Sequence, residues 1–289
     1  VFFIPVAILA LFFVADLIMI KDTPAQAGLK NIELGDATSG QEDGPSLNFF
    51  AVAGMMFKNP IIMTIAAIEF CSGFLRNAIM QWYVIFAKQT GQMDAFVPRN
   101  WGLLLCVAGI MGGVFAGTIS DKFFNSRRGP VSGVLYGIML MGAICVPFMI
   151  HNPAGLGYLV VFMSMSVIGV HGMLSGTASM DFGGSKNVGV AVGLIDGFVY
   201  LGTALQSILY AKILPSGDAA KDPANWVAWP VAMIPAALIG FLFCLKMWNA
   251  RPQPKKSVVF DEARDATAKV AVGLTKHDSG RSTGAESSL

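Results

Sequence analysis

Charged residues are scarce in this sequence. They make up 13% of the 289 residues, whereas a typical soluble domain has about 25%. Hydrophobic residues make up 54%, and the net charge is only +2. This composition excludes an ordinary soluble domain and predicts an integral membrane protein. The small net charge gives no general attraction to nucleic acid, so no nucleic-acid partner is predicted.

Residue types that build catalytic and metal centres are also few. The three histidines fall on different predicted elements, and the four cysteines lie inside apolar stretches without the spacing of a zinc site or a disulfide framework: His151, His171, His277, Cys71, Cys106, Cys145 and Cys244. No hydrolase or nucleotide-binding motif is present. We therefore predict no enzyme, no metal site and no cofactor.

Seven apolar stretches are long enough to cross a bilayer, which takes about 20 residues. They are predicted to be helices, because an exposed strand edge is not viable in lipid. The stretches run near Val1–Ile20, Ile61–Ala87, Trp101–Ser120, Val131–Ile150, Tyr158–Met180, Val188–Leu214 and Trp226–Trp248. The fold class is therefore an all-α membrane protein with seven transmembrane helices.

Basic residues are concentrated in alternate loops and in the polar C-terminal tail. These segments are loops 21–58, 121–130 and 181–187 and residues 249–289. The positive-inside rule places all of them in the cytoplasm. The tail has few large apolar groups, so we expect it to be disordered and solvated.

One permanent charge lies near the middle of the second apolar stretch. Arg76 cannot lose its proton, and placing it in hydrocarbon costs roughly 2.5–3.5 kcal/mol on insertion scales. It therefore needs a partner, a water-filled cavity or an anionic ligand. An ion pair with Glu69 is one alternative, but two helical turns separate the two residues by about 10 Å of rise, which makes a poor direct contact.

Three predicted helices carry polar side chains along one face. These faces comprise Glu69, Ser72, Arg76 and Tyr83; Ser164, His171 and Ser175; and Gly189, Gly193, Asp196, Tyr200, Thr203 and Ser207. We expect them to converge on a hydrated pathway, because a polar face is unfavourable against lipid. Polar packing between helices is the alternative, and for His171 it is the preferred one.

Glycines repeat every four residues in two of the predicted helices. The sets are Gly109, Gly113 and Gly117, and Gly189, Gly193 and Gly197. Such repeats let helix backbones approach closely, either for static packing or for sliding.

Four motifs resemble one known family. The segment from Gly117 to Gly129 contains Asp121-Lys122 and Arg127-Arg128, and resembles the G-x-x-x-D-[RK] loop of the major facilitator superfamily. Its long spacing is similar to that of the organophosphate:phosphate antiporter branch. Three further segments also resemble motifs of this branch: D-T-P-x-x-x-G-L at 22–29, L-R-x-x-x-x-x-W at 75–82 and G-F-V-Y-L-G at 197–202.

This resemblance implies a twelve-helix transporter, of which the sequence looks like a C-terminal fragment. Residues 1–20 would be the last helix of the N-terminal half, and 21–58 the cytoplasmic loop between the halves. Residues 59–248 would be the six-helix C-terminal transport domain, and the missing N-terminal helices would be its partner. The expected location is the bacterial inner membrane, with the lipid bilayer as surroundings.

The resemblance also implies a function and its residues. The family exchanges organic phosphates, such as glycerol-3-phosphate or a hexose phosphate, for inorganic phosphate, and Arg76 matches one of its two phosphate-binding arginines. The other candidates for substrate binding are Trp82, Tyr83, His171, Asp196 and Tyr200. Glu69 or Asp196 is a candidate for a proton site or an ion pair. Asp121, Lys122, Arg127 and Arg128 would form a cytoplasmic gate or, equally, a basic turn that only sets orientation.

Two departures from the family leave the substrate open. Asn77 follows the arginine where a tyrosine or similar residue is expected, and Asp196 replaces a small or neutral residue. Asp196 would repel a phosphate dianion unless a cation, a proton or a substrate amine compensates. Alternative functions are a proton-coupled transporter of another metabolite and a transporter-like sensor of sugar phosphates.

Overall fold

A computed structural model describes residues 2–21, 24–30, 49–179 and 188–250. The chain divides into two compact units, Val1–Gly35 and Asp36–Leu289. All regular structure in the described residues is helical. The predicted all-α class is confirmed.

The first unit contains helix α1, Phe3–Met19, and a short 3₁₀ turn at Ala25–Ala27. Helix α1 corresponds to the first predicted span, is 17 residues long and is apolar except for Asp16.

The second unit contains the remaining described helices. They are α2 (Phe49–Lys58), α3 (Pro60–Met80), α4 (Trp82–Gln89), α5 (Phe96–Arg99), α6 (Trp101–Phe124), α7 (Arg128–Met149), α8 (Pro153–His171), α9 (Val188–Ile213), α10 (Ala228–Val231) and α11 (Met233–Lys246). A π-helix, Gly172–Ala178, continues α8, and 3₁₀ turns at Gly217–Lys221 and Pro223–Val227 precede α10. Six helical spans of the described chain are long and apolar enough to cross a membrane: Pro60–Gln89, Trp101–Phe124, Arg128–Met149, Pro153–Gly176, Val188–Ile213 and Pro223–Lys246.

Asparagine–proline pairs start two of the spanning helices. The side chain of Asn59 accepts a hydrogen bond from the backbone N–H of Ile61 at 2.9 Å, and Pro60 occupies the first helical position of α3. Asn152 caps α8 in the same way, accepting from Gly155 N–H at 3.1 Å. The cap satisfies a free N–H of the first turn, and proline has no N–H to leave unpaired there.

The second span is two helices rather than the single one predicted. Helix α3 ends at Met80 and α4 begins at Trp82, with Gln81 between them. The break is small, because Gln81 keeps a right-handed helical backbone and donates its N–H to Asn77 at 3.1 Å.

Helix α3 lies at the centre of the second unit and packs against α8, α9 and α11. Its contact with α9 is a backbone-to-backbone approach. A Cβ atom added to Gly73 would lie 2.0 Å from the carbonyl oxygen of Val199, and one added to Gly202 would lie 1.9 Å from that of Phe70. No residue larger than glycine fits at either position without moving the helices apart.

The predicted glycine repeats do not make these close approaches. A Cβ atom would meet nothing within 4 Å at Gly113, Gly117, Gly189, Gly193 or Gly197, and only a side-chain carbon at 3.9 Å at Gly109. Within the described part of the chain, the expectation of close packing at these repeats is therefore wrong. Regular spacing places glycines on one face of a helix, but it does not determine whether another helix covers that face.

Some predicted segments lie outside the described residues. These are the loop 181–187, residues 22–23 and 31–48 of the first loop and residues 251–289 of the tail. The loop predicted at 121–130 is shorter than expected, because α6 continues to Phe124 and α7 begins at Arg128. Helix α6 ends where Asn125 adopts a left-handed backbone with φ of 50°, a conformation that asparagine tolerates better than most residues.

Candidate functional site

Arg76 projects from α3 one turn beyond Gly73, and its side chain is half-buried. It has no hydrogen bond or ion pair with any other described residue. All five guanidinium N–H donors are therefore open to a ligand or to groups outside the described residues.

Glu69 pairs with His171 and not with Arg76. One carboxylate oxygen, Oε2, lies 3.0 Å from Nδ1 of His171. The Glu69 side chain is fully buried, whereas that of His171 is 27% exposed. The sequence alternative of an Arg76–Glu69 pair is thus replaced by a contact between α3 and α8.

The second acid, Asp196 on α9, accepts a hydrogen bond from Ser175. The distance between the serine Oγ and the aspartate Oδ1 is 2.5 Å. Ser175 lies in the π-helix that continues α8, so His171 and Ser175, four residues apart, bond acids from two different helices. π-Helical turns are rare in proteins overall, but those that occur often lie at functional sites.

These residues form one group, here called the polar cluster: Glu69, Arg76, His171, Ser175 and Asp196. Arg76 and Asp196 both lie close enough to His171 to act on it electrostatically. Three of the predicted polar faces therefore contribute to one region, as expected for faces that converge. Among the described residues, the region combines one unpaired cation, two carboxylates and one imidazole.

A second polar contact joins α3 to α9 beside the polar cluster. The side-chain amide of Asn77 donates to Gln206 and to Ser207 Oγ, the latter at 3.3 Å. The hydroxyl of Thr203 donates to the carbonyl of Gly73 at 3.1 Å. Gln206 is fully buried and did not stand out in the sequence. The sequence feature that could have identified Gln206 is an amide side chain inside an otherwise apolar span.

The three aromatic candidates have different surroundings. Tyr83 is buried and its ring centre lies 4.8 Å from that of Trp101. Trp82 is half-buried and lies 5.3 Å from Tyr210. Tyr200 is 67% exposed, one turn beyond Asp196 on α9. Of these three rings, that of Tyr200 is the most open to a ligand.

The charged residues after α6 make local contacts. Asp121 accepts from the hydroxyl of Ser126 at 2.8 Å, and Arg127 donates through Nε to a carbonyl at the end of α6 at 3.1 Å. Arg128 donates to a serine hydroxyl of α6 at 3.4 Å, and Lys122 is exposed. These bonds brace a tight turn between α6 and α7.

An apolar cavity of about 440 Å³ lies between α3, α9 and α11. Its walls include Phe70, Phe74 and Phe198, and no member of the polar cluster lines it. The chemistry-bearing residues therefore lie away from this cavity.

Comparison with known proteins identifies the family. The family model described as Major Facilitator Superfamily matches residues 1–207. The chain belongs to the Major Facilitator Superfamily. No solved structure matches it significantly.

Relatives within this superfamily have names that agree with the predicted branch. The chain is 27% identical to the glycerol-3-phosphate transporter of Bacillus subtilis, over 86% of the chain and 56% of that protein. It is 25% identical to a probable hexose phosphate transport protein of Chlamydia pneumoniae, over 69% of the chain and 42% of that protein. It is also 28% identical to the membrane sensor protein UhpC of Escherichia coli, over 67% of the chain and 42% of that protein.

The resemblance to the organophosphate branch is thereby confirmed, and the chain is an integral membrane protein. It spans about half the length of the curated relatives that it matches.

Proposed function

We propose that this chain forms the phosphate-binding half of a secondary transporter that exchanges an organic phosphate for inorganic phosphate. The observation that carries the proposal is Arg76, a permanent cation inside a membrane span with no partner among the described residues. The substrate class comes from the relatives, whose names refer to glycerol-3-phosphate and hexose phosphate. No enzymatic step is part of this proposal.

A guanidinium suits this role because its planar fork matches two oxygens of a phosphate. An unpaired guanidinium in a membrane has an unfavourable free energy. Binding of an anion relieves that cost, so it is more favourable at an unpaired arginine than at one already paired with a carboxylate. Binding must also remain reversible, since exchange requires release on both sides of the membrane.

The proposed architecture assigns residues 59–248 to the transport domain, 1–20 to the last helix of the other half and 21–58 to the loop between halves. A second arginine would come from that other half. Alternating access would then be a rocking of one half against the other around the bound phosphate. Loops 21–58, 121–130 and 181–187 and the tail 249–289 would face the cytoplasm of a bacterium. Asp121, Arg127 and Arg128 brace the turn between α6 and α7, beside the exposed Lys122.

The proposal is tested by substitution of Arg76 in the full-length protein reconstituted into liposomes loaded with inorganic phosphate. Arg76→Gln should abolish uptake of labelled glycerol-3-phosphate and hexose phosphate, and Arg76→Glu should do the same because it repels the anion. Arg76→Lys keeps the charge but loses the fork, so it should bind phosphate more weakly than the parent protein. The matched control is Arg99→Gln, because Arg99 is an exposed arginine of α5. Phosphate exchange by Arg76→Gln at the rate of the Arg99→Gln control would refute the proposal.

A sensor is the second candidate function. The observation that favours it is the 28% identity to a protein named as a membrane sensor. A sensor would bind an organic phosphate through Arg76 without moving it across the membrane. Calorimetric binding of a hexose phosphate to the purified protein, with no counterflow in liposomes, would favour this function over exchange.

A further inference from the structure

The Glu69–His171 pair can exist with different numbers of bound protons. Glu69 is fully buried, and its second oxygen, Oε1, has no hydrogen-bond partner among the described residues. A buried carboxylate without compensation is costly, so the pair must hold at least one proton in addition to the N–H at Nε2 of the imidazole. One shared proton leaves the pair neutral, whether it resides on Oε2 or on Nδ1. A second proton makes the pair positive.

Of the two side chains in the pair, the imidazole is the accessible one. His171 is the partly exposed member, at 27%, whereas Glu69 is at 0%. His171 is also the last residue of α8, immediately before the π-helix. The histidine ring is therefore the member of the pair at which a proton can enter, and the Glu69 carboxylate is buried behind it.

Charged and titratable groups approach this pair from four of the packed helices. They are Cys71 and Arg76 on α3, Tyr136 on α7, Asp196 on α9 and Cys244 on α11. Helix α2 adds the exposed Lys58, and α4 adds the buried Tyr83 and the exposed Lys88. Helix α6, which packs against α8 and the π-helix, carries the exposed Asp121 and Lys122 near its C-terminal end. Thiols and phenols are neutral near pH 7. In the described ranges of the chain, the fixed charges beside the pair are thus one positive, on Arg76, and one negative, on Asp196.

These two charges balance each other until an anion arrives. A phosphate monoester carries a charge of about −1.5 to −2 near pH 7, so its binding at Arg76 leaves the region negative. Asp196 makes the imbalance larger, because its carboxylate has Ser175 as its bonded partner and no cation in the described residues. A second proton on the Glu69–His171 pair would offset about half to two-thirds of this negative charge.

We propose that the Glu69–His171 pair is a proton-binding site that takes up a proton when phosphate binds at Arg76. This inference rests on the proposed function, since it assumes that Arg76 binds the phosphate. The proton passes from water to the imidazole and returns to water when the phosphate leaves. Because linkage is reciprocal, phosphate must also bind more tightly when the pair is already protonated, that is, at lower pH.

The test measures protons taken up during phosphate binding. Inorganic phosphate is added to the purified full-length protein in weakly buffered solution containing an indicator dye, and the bound phosphate is quantified in parallel. The ionisation of phosphate itself contributes to every sample, so the contribution of the pair is the difference between variants. Glu69→Gln and His171→Gln should each take up less proton per bound phosphate than the parent protein. His151→Gln, which alters an exposed histidine between α7 and α8, should match the parent protein.

The outcomes separate the two proposals. If Glu69→Gln and His171→Gln bind phosphate with the same proton uptake as His151→Gln, the proton site is refuted and the phosphate site stands. If Arg76→Gln binds phosphate as the parent protein does, the phosphate site is refuted and the proton site loses its basis.

A second measurement needs no variant. The infrared difference spectrum of the unmodified protein on adding phosphate should contain bands of a newly protonated carboxyl or imidazole group. A spectrum without either band would overturn the inference even if the Glu69 variants fail to fold.

Discussion

Substituting Gly73 by alanine should separate α3 from α9. A Cβ atom at this position would lie 2.0 Å from the carbonyl oxygen of Val199, 2.7 Å from its carbon and 2.9 Å from its Cα. These are backbone atoms of a helix, so none can rotate away. Ordinary van der Waals contact begins at 3.4 Å, and the difference from 2.0 Å requires a separation of 1.4 Å.

The magnitude follows from the contacts that this separation would break. Overpacking costs about 1–3 kcal/mol. The hydrogen bond from Thr203 to the carbonyl of Gly73, 3.1 Å long, would be lost for about 1 kcal/mol more. The higher helix propensity of alanine offsets up to about 1 kcal/mol of this destabilisation. The net destabilisation is therefore about 1–3 kcal/mol, which lowers the melting temperature by several degrees.

The assay is thermal unfolding of the purified protein in detergent, followed by circular dichroism. Gly137→Ala is the matched control, because its Cβ would lie at an ordinary 3.7 Å from the ring of Phe241 in the contact between α7 and α11. The control should melt at or slightly above the temperature of the parent protein. Equal melting temperatures for Gly73→Ala and Gly137→Ala would refute the close approach of α3 and α9.

Two further substitutions test contacts within the second unit by the same melting assay. Tyr136→Phe removes a buried hydrogen bond from the tyrosine hydroxyl to the carbonyl of Ile68, 2.5 Å long, and should cost about 1–3 kcal/mol; a variant as stable as the parent would show that α7 does not make this contact. Asn152→Ala removes the cap of α8 and should cost about 1 kcal/mol, whereas Asn152→Ser should retain most of the stability. Equal losses for both Asn152 variants would contradict a capping role.

The sequence alone predicted the helices and the family. Long apolar runs determine the spans, because the bilayer demands internally bonded backbone over about 20 residues. The helix starts at Asn59 and Asn152 are equally local, since a cap depends on the next few residues of the chain. The motifs around Asp121 and Arg76 led to the superfamily that the comparison confirmed.

The partners of the polar residues were decided by the tertiary structure. Helical spacing placed Glu69 and Arg76 on one face, but it could not show that α8 supplies His171 as the partner of Glu69. It also could not show that Ser175 bonds Asp196 or that Asn77 bonds Gln206.

The glycines show the same contrast between what the sequence determines and what the tertiary structure decides. Their spacing can be read from the sequence, but close approach depends on which helix faces them: the regular repeats are open in the described part of the chain, whereas Gly73 and Gly202 meet the backbone of a neighbouring helix. Periodicity is a property of one helix, and a contact is a property of two. The charge of Arg76 was therefore evident from the sequence, while its lack of a partner among the described residues became evident only from the packing of α3, α8 and α9.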